Sequence, residues 1–233
     1  MNKKGGFATA PRGLSLPGAT PNEASTPNSA ALAITGDISI RSVIRPAVWP
    51  PATDVYSIIK EVPSNQRSYG HGFTVAGDLV MRFSIDGTTA LQLGAAAPFV
   101  LTPGKAYAFR TDRIASSGLI RYYTGPAAGK GQGPWTLYAT NPGGPTGALF
   151  VSTAPLEIGA RAVNNNPFNG DVVYAEIRNG LDGPPVAIFD PSSIQANSRR
   201  SPAAWRAGTG ELWTAAGAGW SWALPVSPTV RAA

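Results

Sequence analysis

Along this chain apolar and polar residues alternate in short runs, which is the two-residue period of half-buried β-strands. In the run 34–45, Ile38, Ile40 and Ile44 share one face, while Asp37, Ser39, Arg41 and Arg45 share the other. In the run 79–85, Leu79, Met81, Phe83 and Ile85 lie opposite Val80, Arg82 and Ser84. In the run 172–178, Val173, Ala175 and Ile177 lie opposite Val172, Tyr174, Glu176 and Arg178. Similar runs predict strands at 14–16, 55–60, 68–75, 106–111, 119–123, 135–138, 156–158 and 186–190, with 17–30 as a turn-rich connection. Ala76-Gly77-Asp78, Asp86-Gly87 and Ser117-Gly118 supply hairpin turns, because Gly and its polar neighbours accept positive φ.

No stretch keeps a 3.6-residue period beyond two turns, so very little helix is expected. No repeat near 40 residues points to a propeller. The fold class this predicts is all-β, a two-sheet antiparallel jelly-roll sandwich. It occupies one domain, 13–223, between a flexible basic N-terminal arm, 1–12, and a Pro-containing C-terminal tail, 224–233.

Composition narrows the chemistry. With no Cys there is no disulfide, thiolate ligand or cysteine nucleophile, and burial of 6 Trp, 7 Tyr and 8 Phe must supply stability. The single histidine, His71, stands between Gly70 and Gly72 and reads as a turn residue. One histidine leaves little room for Ser-His-Asp triads or His-rich metal sites. The 19 basic and 13 acidic residues give a net charge of +6, but only Lys3-Lys4 and Arg199-Arg200 are doublets. Neither a nucleic-acid partner nor a membrane partner is expected from such scattered charge and such short apolar runs. The segment behind Lys3-Lys4 lacks the apolar run of a secretory signal.

Glycoside hydrolysis needs two carboxylates facing one cleft, about 5 Å apart in retaining enzymes. Asp171 and Glu176 are the closest spaced here, and an odd separation puts them on opposite faces of an ideal strand. No enzyme is expected. If the polar strand faces align, Arg82, Tyr174, Glu176 and Arg178 share one open sheet surface, either as a glycan site or as a solvated face with cross-strand ion pairs. Trp205, Trp213, Trp220 and Trp222 would either stack against sugar rings or seal the sandwich edge. No cofactor is expected. The oxygen donors that would suit calcium are Asp37, Asn164, Asn165, Asn166 and Asp171, with 164–168 equally good as a plain turn. The Gly-rich run 125–133 lacks the Gly-Lys-Ser/Thr ending of a phosphate loop.

Several phrases carry a family resemblance: 25–41 with its Gly36-Asp37 entry into a strand, 77–87, Ala154-Pro-Leu-Glu-Ile-Gly159, 168–183 with 186–190, and 211–222. Together they resemble laminin-G-like, concanavalin A-like domains of virion structural proteins of tailed, actinobacteriophage-like phages. The resemblance spans roughly residues 14 to 222. It implies a non-enzymatic virion structural protein, either a capsid decoration or a minor tail protein, made in the host cytoplasm and displayed on the particle surface. Partners would be other virion proteins of capsid or tail, with multimers on the particle and contact with a host surface glycan. Arg82, Tyr174, Glu176, Arg178 and Trp222 would hold that glycan, and Lys3, Lys4, Phe7 and Arg12 of the arm would dock to the virion. The alternative is a carbohydrate-binding module without an assembly role.

Overall fold

The computed structural model describes residues 13–20, 22–129, 131–161, 166–193, 204–216 and 221–223. In chain order the strands begin with β1 (Gly13–Pro17), β2 (Glu23–Thr26), β3 (Ile38–Pro46), β4 (Val55–Val62), β5 (Gln66–Phe73) and β6 (Asp78–Phe83). They continue with β7 (Leu91–Pro98), β8 (Tyr107–Arg113), β9 (Ile120–Gly125), β10 (Thr136–Asn141) and β11 (Leu156–Ile158). The last are β12 (Asn169–Asn179), β13 (Pro185–Phe189), β14 (Ala204–Arg206), β15 (Leu212–Ala216) and β16 (Ser221–Ala223). Among the described residues, helix is limited to three-residue 3-10 turns.

Two antiparallel sheets result. The first runs β10-β9-β8-β3-β12-β1-β16, and β13 takes the rest of the β12 edge that β1 leaves open. The second runs β14-β15-β2-β11-β4-β5-β6-β7. This is the jelly-roll sandwich that the alternation predicts.

The alternation also decides which side chains fill it. Ile38, Ile40 and Ile44 on β3 face Leu79, Met81 and Phe83 on β6 in one continuous core with Phe73 and Phe109. Each such side chain fully removed from water contributes about 1.5–3 kcal/mol, which stands in for absent cross-links. At one side of the sandwich β7 is tied to β9 and β10: the Tyr122 hydroxyl of β9 donates to Leu93 O (2.6 Å) and Asn141 Nδ2 of β10 to Gly94 O (3.0 Å). Elsewhere Trp213 and Trp205 pack edge-on to Phe189, at 5.2 and 5.5 Å between ring centroids, and Trp213 Nε1 donates to Ile188 O. These two tryptophans therefore seal the sandwich.

Four expectations change. First, β12 carries a bulge opposite Val43, so Val173 and Tyr174 both face outward and Val172, Ala175 and Ile177 form its core side. Second, β6 ends at Phe83, and Ile85 is exposed beyond it. Third, residues 23–26 and 91–98 are strands, although 17–30 reads as a connection and 91–98 shows little apolar alternation. Fourth, His71 is no turn residue. It lies inside β5, fully buried, where Nε2 bonds the Ser42 hydroxyl (2.8 Å) and Nδ1 the Thr111 hydroxyl (2.9 Å) of the opposite sheet. Gly70 and Gly72 flank it because a Cβ at Gly70 would stand 2.6 Å from Ile59 Cγ1, and one at Gly72 2.0 Å from Val55 O.

Candidate functional site

Register places two transverse rows of side chains on the outer faces of the sandwich, and their charge content differs. On the first sheet the row reads Tyr123, Arg110, Arg41, Glu176, Ile188 across β9, β8, β3, β12 and β13. Two arginines directly opposite each other would repel. They are reconciled by three carboxylates. Arg41 reaches Glu176 (3.1 Å) and Asp182 (3.4 Å), while Arg110 grips Asp112 through two bonds of 2.8 and 2.7 Å and meets Asp182 at 3.0 Å. Arg178 bonds Glu176 (2.6 Å), whose other oxygen accepts the Tyr174 hydroxyl (2.6 Å).

Loops close over this row. Leu181 O accepts from Arg110, Gly183 O from Arg178 and Gly131 O from Arg41. Trp135 and Tyr123 lie under the guanidinium groups of Arg41 and Arg110, at 5.8 and 5.1 Å from the ring centroids. Burial pushes the Tyr174 hydroxyl pKa up, with the Glu176 hydrogen bond adding to it. Three cations meet three anions, and only Asp182, 79% exposed, stands in water. The arrangement is a closed, neutral network that fixes β3, β8 and β12 together.

The second sheet is different. Its row reads Thr214, Ser25, Glu157, Ile59, Gly70, Arg82, Gln92 across β15, β2, β11, β4, β5, β6 and β7. Beside it Glu61, at the end of β4, gathers three guanidinium groups. Arg82 binds it with two bonds, Nε to Oε2 at 2.7 Å and Nη2 to Oε1 at 3.0 Å. Arg67 Nε follows at 3.3 Å and Arg161 Nη1 at 3.7 Å. Burial alone would lower the Arg82 pKa, but its bonds to Glu61 outweigh burial and raise it. Tyr56 donates to Gln92 Oε1 (2.7 Å), and Gln92 Nε2 donates to Asp54 (2.8 Å), which also caps Val75 N.

The Glu61 side chain is 3% exposed, whereas those of Arg67, Arg82 and Arg161 are 23, 14 and 20% exposed. One sunken carboxylate thus orients three arginines whose outer edges reach solvent. Arg67 spends a further donor on Thr88 O. Among the described residues Arg161 donates no hydrogen bond, and its Nε is buried without a partner. Glu157, on the neighbouring strand, is buried and has its own partner. Arginine edges and the Gln92 amide in reach of water, with the buried Tyr56 hydroxyl holding that amide in place, can hold a ligand rich in oxygen acceptors.

The glycan-site residues suggested by the sequence are thus divided. Tyr174, Glu176 and Arg178 stand together in the closed network of the first sheet, and Arg82 stands on the second. Backbone pairing sets Trp222 opposite Leu14. The arm residues Lys3, Lys4, Phe7 and Arg12, together with Asn164, Asn165 and Trp220, lie outside the described residues. Of the calcium donors, Asp37 and Asp171 are not brought together. Asp171 is held by Arg45 at 2.8 Å and Asp37 by Ala115 N at 2.8 Å. They sit at opposite ends of β3, roughly 25 Å apart at 3.3 Å per residue, whereas calcium needs its ligands within about 2.6 Å. Glu61, Arg67, Arg161, Tyr56 and Gln92 carry no motif, so sequence spacing does not single them out.

A separate apolar cleft of about 400 Å³ opens between Val48–Val55 and Pro167–Asn169, with Trp49 and Phe168 in its wall.

No family model matches the sequence, and no curated protein matches it. Solved structures of similar fold exist. A heptameric SAP-like pentraxin of Limulus polyphemus has a TM-score of 0.56 at 10% identity, covering 93% of this chain and 96% of its own. A Bacteroides ovatus protein provisionally assigned as carbohydrate binding has a TM-score of 0.60 at 10% identity, covering 94% of this chain and 61% of its own. The CBM40 of a Ruminococcus gnavus sialidase, bound to α2,3-sialyllactose, has a TM-score of 0.50 at 11% identity, covering 72 and 92%. At such identities the likeness is one of fold.

Proposed function

We propose that this chain is a non-enzymatic virion-surface module that holds a saccharide on the outer face of its second sheet. The observation that carries the binding role is the convergence of Arg67, Arg82 and Arg161 on Glu61 beside Tyr56 and Gln92. Hydroxyl-rich ligands are held by such side chains because the arginine forks and the Gln92 amide each present several donors in fixed planes. Sandwiches of the same fold named for carbohydrate binding or bound to sialyllactose support the role. A binding rather than hydrolytic function is supported by the use of the buried carboxylates. Glu61, Asp112 and Glu176 are each bonded to arginine.

The virion setting rests on the phrases at 25–41, 77–87 and 154–159 that resemble phage surface modules. The test has two arms. On a glycan array the wild-type protein should give discrete hits, and Gln92→Ala should weaken them roughly 10-fold in a protein that still unfolds cooperatively, though at a lower melting temperature because the buried Tyr56 hydroxyl loses its acceptor. A silent array, or hits indifferent to Gln92, would refute the site. Mass spectrometry of purified particles should detect the chain. Its absence from particles, with array binding intact, would leave a carbohydrate-binding module without an assembly role.

A further inference from the structure

We infer that the saccharide taken by this face is anionic, its carboxylate or phosphodiester seated on Arg161 with Arg82 and Arg67 alongside. The inference rests on the reading of the second sheet as the saccharide site, and it names the class of ligand. Three guanidinium groups share one carboxylate at 2.7, 3.3 and 3.7 Å, so Glu61 satisfies Arg82, partly satisfies Arg67 and leaves Arg161 with a contact beyond hydrogen-bond length. Arg161 nevertheless is four-fifths covered, and its Nε is buried without a partner. A half-desolvated guanidinium without acceptors is costly, and an anionic oxygen pair matches its planar fork. The first sheet differs in its charge balance: three arginines there meet three carboxylates, although Arg41 Nε is also buried without a partner, whereas on the second sheet three arginines share the single carboxylate of Glu61.

The other carboxylates near the second-sheet face are already engaged. Asp54 accepts Val75 N and Gln92 Nε2, and Glu157 has its own partner. Gln92, oriented by the buried Tyr56 hydroxyl, stands next to the arginines and would read the hydroxyls of the same sugar.

The experiment is calorimetric titration at low and moderate salt with three probes: trigalacturonate, its neutral trimethyl ester, and a glycerol-phosphate oligomer of the cell-wall type. Wild-type protein should bind a charged probe at least 10-fold more tightly than the ester, and the preference should shrink as salt rises. Arg161→Gln should remove the preference with an unchanged melting temperature, and Arg161→Lys should keep part of it, since charge remains and the fork is lost. Preference for trigalacturonate assigns the charge to a sugar acid, and preference for the phosphate oligomer assigns it to a phosphosugar; either supports the inference. Equal binding of ester and charged probes, unmoved by Arg161→Gln, overturns it and leaves the saccharide reading standing. Failure of charged and neutral saccharides alike overturns both.

Discussion

Acid should loosen this protein through one side chain. His71 is the only histidine, fully buried between the sheets, with both ring nitrogens bonded to the hydroxyls of Ser42 and Thr111. Burial pushes its pKa from 6.5 down to about 3, so the folded protein holds it neutral while the unfolded chain protonates it. A folded pKa below the unfolded one means that the stabilisation is complete above pH 6.5 and is lost as pH falls toward 3. At pH 5 the unfolded state is favoured by a factor of about 30, or about 2 kcal/mol, relative to pH 7.5. For a domain of this size that lowers the melting temperature by roughly 4–8 °C. Urea titrations at the two pH values should show the loss in wild type and not in His71→Gln, which keeps polar atoms but does not titrate. Carboxylates affect both proteins equally, so the difference between them isolates the histidine. Equal acid sensitivity in the two would refute the reasoning.

Lys60 should act in the opposite pH range. Its ammonium is buried between the carbonyls of Ser152 (2.7 Å) and Ala154 (2.6 Å), and burial pushes its pKa down to about 8. The charge therefore costs stability below pH 8, and the cost is relieved as pH rises toward the unfolded value. Wild type should gain about 1 kcal/mol between pH 7 and 9, and Lys60→Met should gain nothing, by denaturant titration. In the first-sheet network, Glu176→Gln should cost about 3 kcal/mol because it strands buried Arg41 and Arg178, and Asp182→Ala, at an exposed rim, less than about 1 kcal/mol. Reversal of that order in thermal melts would show that the network is not closed.

The sandwich was legible in the sequence because burial of one strand face leaves a two-residue period, as at Ile38, Ile40 and Ile44. The period misled at β12, where one extra residue opposite Val43 reverses the side on which Val173 lies. It also missed β7, whose Gly94-Ala-Ala-Ala97 stretch has too little apolar contrast to register. His71 was misread because flanking glycines resemble a turn, yet they are present so that Ile59 and the Val55 backbone can approach. The binding face was hidden for a further reason. Glu61, Arg67, Arg82 and Arg161 come from separate segments, and only strand register and the path after β11 bring them together. Arg82 was picked out, but sequence alone set it with Tyr174, which belongs to the other sheet.

The most direct test of the saccharide face is amide chemical-shift mapping with the best array ligand. The largest shifts should fall on Ile59, Gly70, Arg82 and Gln92, which register aligns across β4 to β7. Shifts confined to the Trp49 and Phe168 cleft, or to Arg41, Arg110 and Glu176 on the first sheet, would contradict it.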